Sequence, residues 1–550
     1  MKKLIILIGM LVLASCQNPS YDLVITNGLI IDGTGQPGKM GDIAIRDGKI
    51  IKVGESLDFN AIRVIDAHQQ VVSPGFIDVL SWASGPILYD GEVHSVVRQG
   101  ITTAIFGEGW SMGPVNENVR EEMKSFWGEY DIKYDWNTLH DYLKYVEQNG
   151  SSVNVASFVG ATTVRLYVIG LEDRKATPEE MEQMKSLVRE EMKLGALGLA
   201  SSLVYTPAFY ADTEELTELA KVAAEFGGVY ISHIRGEGTD LIPALEELLS
   251  ISRSANIPAE VYHLKAAGNP NWDKLDDAIK LLESAQKDGL KITADIYPYT
   301  AGATGLSAMM PPWSKDGGDK ALVKRLSDKK TRAKIKKEIL NSTSGWENFY
   351  WMAGGGDNIL VSYLSDARKQ YQGKTIAEIA KIFKKDDLET IFDLLIAEKG
   401  GGGGIYFLMS DENIIKKMKL PWVSFCTDED SYKTSGLMSK RNPHPRAYGT
   451  FPRILGKYVR EEKVLSLPEA IRKMTSLPAS NLGLKDRGLI QEGMAADLVI
   501  FDAEKIIDKA DYSNPHQYPE GLFHVIVNGQ PVILDGEHTG NKPGMALFRN

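Results

Sequence analysis

The chain has 550 residues, of which 43% are hydrophobic and 25% charged, and 62 basic residues against 73 acidic ones give a net charge of −11. This composition is ordinary for a soluble globular protein, and the length indicates a few domains. The negative charge, with no clustered basic stripe, argues against nucleic acid or another polyanion as a partner.

The N-terminus has the features of an export signal. A basic start at 2–3 precedes an apolar run at 4–13, which is too short to span a bilayer. The letters LASC then resemble a bacterial lipobox, so we expect a lipoprotein signal peptide over 1–16 that ends at a lipidated Cys16. The protein would be a cell-envelope lipoprotein that faces the periplasm or lies at the outer membrane. The alternative is a plain secretory signal with a chance cysteine.

Both ends of the remaining chain have the sequence pattern of short strands. Alternating or β-branched runs, with hairpin-forming Asn-Gly and Asp-Gly turns near the N-terminal end, occupy 22–35, 42–55, 496–502 and 524–534. We therefore predict a small β-sandwich built from residues 17–70 and 481–550, with the middle of the chain as an inserted domain.

Residues 71–480 alternate short apolar strands with amphipathic helical stretches, a pattern typical of βα units. The strand candidates are 71–79, 102–108, 154–160, 196–202, 229–235, 260–266, 292–299 and 422–429. Since a TIM-type barrel needs eight strands, the sequence predicts an α/β fold with a (β/α)8 barrel. Residues 311–404, Lys-rich and ending in the glycine run Gly400–Gly404, are predicted to form a helical insertion or lid before the last barrel strand.

Polar side chains recur at the ends of these strand candidates, where a barrel places its reactive groups. They are Glu108, His233, Arg235, His263, Lys265, Tyr297, Tyr299 and Asp428. A lone His on an apolar strand is more often a core residue than a ligand. Two of them on neighbouring strands, with acids at the same level, indicate a metal site.

Several longer motifs point to one family. They are SHIRGEG (232–238), YHLKAAG (262–268), YPYTAG (297–302), HPRAYGTFPRILGKYVRE (444–461) and KMTSLPASNLGLKDRGLIQEGMAADLVIFD (473–502). With these motifs the sequence resembles the N-acyl-D-amino-acid deacylase (D-aminoacylase) family of the amidohydrolase superfamily. The resemblance implies a metal-dependent hydrolase that cleaves the amide bond of N-acyl-D-amino acids or related small amides with zinc-activated water.

The resemblance also implies a ligand set, with two departures from the family. The two His ligands of the family's tightly held zinc correspond to His233 and His263, whereas its Cys ligand has no counterpart and Glu108 is the nearest candidate. The family's second metal uses a His-x-His on the first strand, which Leu80 and Trp82 replace here. We therefore expect one zinc ion per chain, held by one carboxylate and two imidazoles, with a fourth position for water.

The remaining site residues also follow from the resemblance. Asp428 matches the catalytic aspartate, which would act as general base and then general acid. Lys265, Tyr297 and Thr304 match positions that bind the substrate's α-carboxylate. Two further substrate-binding candidates complete the site: Arg235, which could instead pair with Glu237, and Tyr205, for the acyl pocket.

Two other functions stay open at this level. Loss of the first-strand His pair reshapes the pocket and is compatible with another amidohydrolase reaction, such as D-peptide hydrolysis or the opening of a cyclic amide or lactone. The same substitutions, with the missing Cys, are also compatible with a catalytically degenerate, lipid-anchored binding protein.

Overall fold

The computed structural model describes residues 20–57, 60–130 and 132–549. The predicted export signal and Cys16 lie outside the described residues. Within these ranges, no helix combines the length and apolarity that a membrane span requires. Cys426 is a buried free thiol.

The two chain ends form one β-rich unit, as the hairpin signals predicted. Its strands in the described ranges are Tyr21–Ile30, Lys39–Arg46, Lys49–Gly54, Ala61–Asp66, Val71–Pro74, Leu498–Phe501, Leu522–Val527, Gln530–Leu534 and Glu537–His538. Val71–Pro74 joins the two halves, because it lies parallel to the first of these strands and antiparallel to Leu498–Phe501. Alternate side chains from both chain ends, such as Ile25 and Leu498, share one buried cluster.

The barrel has a strand at each of the eight predicted positions, all within the described part of the chain. They are Phe76–Asp78, Ile101–Phe106, Asn154–Ser157 with its extension Val159–Gly160, Gly198–Ser202, Val229–His233, Ala259–Val261, Ile292–Ile296 and Val423–Phe425. The paired neighbours run parallel. Beyond the last strand, the Asp428 N–H donates to the Leu80 carbonyl over 2.8 Å and the Thr427 N–H donates to Asp78 Oδ1 over 2.8 Å. These bonds tie the last strand to the first, so the fold prediction is confirmed.

Helices alternate with the barrel strands. The longer ones are Glu117–Trp127, Leu139–Asn149, Ala161–Val168, Pro178–Lys193, Thr213–Glu225, Leu241–Ala255, Lys274–Lys287, Asp411–Met418, Arg446–Arg453 and Leu467–Met474. The fourth of them begins with a capping box: the Thr177 hydroxyl accepts from the Glu180 N–H, and the Glu180 carboxylate accepts from the Thr177 N–H. Such reciprocal bonds satisfy N–H groups that a helix start leaves without a partner.

The insertion before the last barrel strand is helical in part. Its helices are Gly318–Ser327, Lys329–Asn341, Phe349–Ala353, Ile376–Phe383 and Asp387–Ala397. It also contains an antiparallel sheet in which Gly403–Phe407 lies between Ala301–Gly305 and Ile359–Tyr363. The glycine run therefore leads into a central strand. Gly400 and Gly402 have φ angles of +96° and +100°, which glycine adopts at little cost, so the run forms a defined turn.

Candidate metal centre and active site

Three buried side chains meet at the rim of the barrel. Glu108 follows the second strand, His233 ends the fifth and His263 follows the sixth. Glu108 Oε1 lies 3.0 Å from His233 Nδ1 and 3.1 Å from His263 Nε2. One ligand atom from each residue falls within 4.8 Å of the others, and in the part of the chain that the structure describes no other group of His, Cys, Asp and Glu does so. We refer to these three residues as the triad.

The chemistry of the triad fits a zinc ion. Two imidazole nitrogens and a carboxylate oxygen form a donor set found in catalytic zinc sites. Burial alone would raise the pKa of Glu108, but hydrogen bonds with His233 and His263 lower it to about 2, so the carboxylate is charged. Burial and Lys265 lower the pKa of His263, while Glu237 and Glu108 more than offset them. The surrounding field is therefore negative, and it favours a cation.

The backbone is strained at two of the site residues. His263 and Asp428 have φ angles of +35° and +51°, in the left-handed region that residues other than glycine rarely adopt. The His263 N–H donates to Asp295 Oδ1 over 2.8 Å, which holds this turn in place. Such strain concentrates at functional sites, where surrounding contacts enforce it.

Asp428 lies beside the triad and is held from two directions. Its Oδ1 accepts a hydrogen bond of 3.3 Å from Trp82 Nε1, and its Oδ2 lies 2.8 Å from Arg446 Nη1. Burial raises the pKa of Asp428, and the Arg446 guanidinium opposes that effect. Arg446 is itself buried and was missed by the sequence analysis, although an arginine in HPRAYG, soon after the last barrel strand, was a usable signal.

The first strand contributes an indole in place of metal ligands. Trp82 Nε1 donates to Glu108 Oε2 over 2.9 Å as well as to Asp428, so it joins the triad to the aspartate. Leu80 is fully buried among apolar side chains. Neither residue has a side chain suited to holding a cation.

Four of the predicted substrate-binding residues surround the triad. Lys265 Nζ donates to Glu237 Oε1 over 2.7 Å, and it lies 5.6 Å from the centre of the Tyr297 ring. The ring centres of Tyr297 and His263 are 6.3 Å apart. Tyr205 packs edge-on against the His233 ring at 5.4 Å, and Thr304 lies beside its hydroxyl.

Arg235 is engaged elsewhere. Its guanidinium donates to both carboxylate oxygens of Glu247 over 2.9 Å and to the carbonyls of Phe209 and Ala211, so it pairs with Glu247 rather than with Glu237. Arg235 also lines a cavity of about 610 Å³ together with residues of the insertion such as Trp313. No triad residue lines this cavity.

The chain is similar in sequence to known amidohydrolases. The sequence profile of the Amidohydrolase family matches residues 437–533. A D-aminoacylase of Alcaligenes xylosoxydans xylosoxydans is 30% identical over 533 residues, which cover 96% of this chain and 98% of the relative.

Two solved structures extend the comparison. The N-acyl-D-glutamate deacylase of Bordetella bronchiseptica, complexed with zinc and a phosphonate mimic of the tetrahedral intermediate, has a TM-score of 0.80 and 28% identity, covering 96% of this chain and 99% of that one. A D-aminoacylase with a binuclear metal centre has a TM-score of 0.80 and 29% identity, covering 96% of this chain and 100% of that one. In that D-aminoacylase one metal activates the enzyme and the second attenuates it.

Proposed function

Since this chain belongs to the N-acyl-D-amino-acid deacylase family of the amidohydrolases, and is therefore a metal-dependent hydrolase of carbon–nitrogen bonds other than peptide bonds, we propose that it removes the acyl group from N-acyl-D-amino acids. The observation that carries the proposal is the buried triad with Asp428 beside it, joined through one indole N–H. Retention of the triad and of Asp428 beside it also argues against a degenerate binding protein.

We propose that the centre holds one zinc ion per chain, with Glu108, His233 and His263 as its ligands. The relative with a binuclear centre is activated by one metal and attenuated by the second. In this chain Leu80 and Trp82 offer no ligand for a second ion, which supports a single-metal site.

In the proposed mechanism, a bound zinc ion would lower the pKa of water and polarise the scissile carbonyl. Asp428 Oδ1 takes the proton from the attacking water and delivers it to the leaving nitrogen. The raised pKa of Asp428 makes it a stronger base than an exposed aspartate. Arg446 holds the other carboxylate oxygen, so the orientation of Asp428 is fixed.

Lys265, Tyr297 and Thr304 are proposed to bind the substrate's carboxylate, and Tyr205 to line the acyl pocket. A lysine supplies a point charge and a phenol a hydrogen bond, which together suit a carboxylate in a cleft. The donors of Arg235 are already bonded to Glu247 and to carbonyl groups, so Arg235 would contact the substrate only from the neighbouring cavity.

The test is a substrate panel. Purified, zinc-loaded protein is expected to release the acyl group from N-acetyl-D-amino acids, with little activity on the L enantiomers, and product amine is measured directly. Equal rates for both enantiomers would refute the proposed stereochemistry. The same panel includes cyclic amides, lactones and D-peptides. A preference for any of these would overturn the proposal that N-acyl-D-amino acids are the substrates.

We also propose that the protein is a lipid-anchored component of the cell envelope, attached through Cys16. The support is the lipobox-like LASC that follows a basic and apolar N-terminus. Mass spectrometry of the detergent-extracted protein should show an acylated N-terminal cysteine, and Cys16→Ser should abolish membrane fractionation. A Cys16→Ser protein that remains in the membrane fraction would overturn the anchor.

A further inference from the structure

We infer that Glu237 is the positioning residue of the metal centre: its single carboxylate faces the outer ring nitrogen of both histidine ligands and orients them. The inference rests on the proposed function, because it presupposes that the triad binds zinc. From the sequence alone, Glu237 is expected only as a possible partner for Arg235.

The geometry assigns one carboxylate oxygen to each ring. His233 Nδ1 and His263 Nε2 face Glu108, so the opposite nitrogens of both rings point away from the triad. Glu237 Oε1 lies 3.0 Å from His263 Nδ1, and Glu237 Oε2 lies 3.6 Å from His233 Nε2. Lys265 Nζ, which donates to Glu237 Oε1, lies 2.6 Å from the same His263 nitrogen. His233 Nε2 is buried and makes no hydrogen bond in the described structure, so the Glu237 carboxylate at 3.6 Å is a charge contact with this nitrogen. The two rings meet nearly at right angles, with their centres 4.5 Å apart.

The charge of Glu237 suits this role. The Lys265 ammonium donates to Glu237 Oε1 over 2.7 Å, so the carboxylate lies against a positive charge. A carboxylate beside the outer nitrogen favours a proton there, which would leave the inner nitrogen's lone pair free to hold a zinc ion. A histidine whose outer nitrogen is bonded to a carboxylate is also a more basic ligand.

The loop that carries Glu237 is fixed by the insertion. Glu237 and Gly238 both donate their N–H groups to Oε1 of the buried Glu347, and the Glu237 carbonyl accepts from the Ala267 N–H over 2.7 Å. These bonds hold the main chain and leave the Glu237 side chain directed at the rings. Glu347 is therefore the matched control residue, because it supports the loop without contacting either histidine.

The experiment measures zinc affinity, which does not depend on turnover. The metal-stripped full-length protein is titrated with zinc against a chromophoric chelator, and its cobalt-loaded form is examined by visible absorption. Glu237→Gln is expected to bind zinc about 10- to 100-fold more weakly than wild type, with a shifted cobalt spectrum. Glu347→Gln, which retains an acceptor oxygen for the two N–H groups, should keep wild-type affinity and spectrum.

A second variant separates orientation from charge balance, because Glu237 also neutralises Lys265. If neutralising Lys265 were its whole role, the Glu237→Gln/Lys265→Met protein would regain wild-type zinc affinity, and this result would overturn the inference. Persistent weak binding in the double variant supports it. Melting of the metal-free forms confirms that each variant is folded.

The remaining outcomes are also decisive. Wild-type affinity and spectrum in Glu237→Gln would overturn the positioning role while leaving the deacylase proposal intact. An equal loss in Glu237→Gln and Glu347→Gln would assign the effect to the loop and overturn it as well. Wild-type protein that binds no zinc would overturn both the inference and the proposed function.

Discussion

Trp82 donates its indole N–H to Glu108 Oε2 over 2.9 Å, on the side of the carboxylate that faces away from the histidines. The same N–H reaches Asp428 Oδ1 at 3.3 Å, so a neutral donor lies between two carboxylates that would otherwise repel each other. Glu108 Oε1 is thereby left to face His233 and His263. A hydrogen-bond donor thus bridges the two acids where the family resemblance implies a metal ligand.

Removing this donor should weaken catalysis without removing the metal. We expect Trp82→Phe, which keeps an aromatic ring, to lower kcat/KM by about 5- to 150-fold, because an unsatisfied buried acceptor costs about 1–3 kcal/mol. Zinc content, measured by mass spectrometry, should stay at the wild-type value. Trp422→Phe is the control, since the Trp422 indole N–H makes no hydrogen bond in the described structure. Equal kcat/KM in wild type and Trp82→Phe would contradict the bridging role.

Asp428→Asn tests the proton-transfer step. The amide has a similar shape but cannot take a proton from water, so kcat should fall by about 10²- to 10⁴-fold. Zinc affinity should change little, because Asp428 is not one of the three proposed ligands. Turnover of an N-acetyl-D-amino acid and zinc content are measured on the same preparation. A variant that retains wild-type kcat would exclude Asp428 as the base.

Much of the fold could be predicted because its signals are local. Short apolar strands separated by amphipathic helices indicated the barrel, and each predicted strand position holds a strand. The first candidate, 71–79, is divided: Val71–Pro74 pairs with the terminal sheet and Phe76–Asp78 begins the barrel. Nothing in an apolar run shows which sheet each half joins, since that depends on residues more than 400 positions away, at Leu498–Phe501.

A site residue could be predicted from the sequence where its role follows from its position on a strand. It could not be predicted where its role depends on a side chain from another part of the chain. His233 and His263 lie at strand ends, so barrel geometry brings them together. Glu237 and Arg446 act through side-chain contacts that only the folded chain defines. Arg235 illustrates the same limit: its partner is Glu247, on the following helix, and not the acid two positions away.

The pH profile should report the pairing of Asp428 with Arg446. A neighbouring cation stabilises the charged carboxylate, so replacing it in Arg446→Met raises the pKa of Asp428. Because the charged form is the active base, activity is lost as the pH falls through this pKa, and the acid limb of kcat/KM should move to higher pH. Arg446→Lys, which keeps the charge, should shift it less. An acid limb that stays in place in Arg446→Met would show that another group controls it.

Lys265→Met should separate substrate binding from chemistry. Loss of the ammonium removes a partner for the substrate's carboxylate, so KM should rise for N-acetyl-D-amino acids. The rise should be much smaller for the corresponding N-acetyl-D-amino acid amides, which lack that carboxylate. Steady-state kinetics on both substrates provide the measurement. An equal rise in KM for both would indicate that Lys265 supports the site only through Glu237.

Activity should follow zinc to one equivalent per chain and then stay level. Chelation is expected to abolish turnover, because the ion held by the triad is what activates the water. One equivalent of zinc should restore turnover. Further zinc should not attenuate the enzyme as the second metal does in the binuclear relative, because Leu80 is buried in the apolar core and the Trp82 N–H is bonded to Glu108 and Asp428. Trp82→His, which introduces a potential ligand, is the informative variant: excess zinc should attenuate it. Attenuation of the wild-type enzyme at two equivalents would show that a second ion binds without the first-strand ligands.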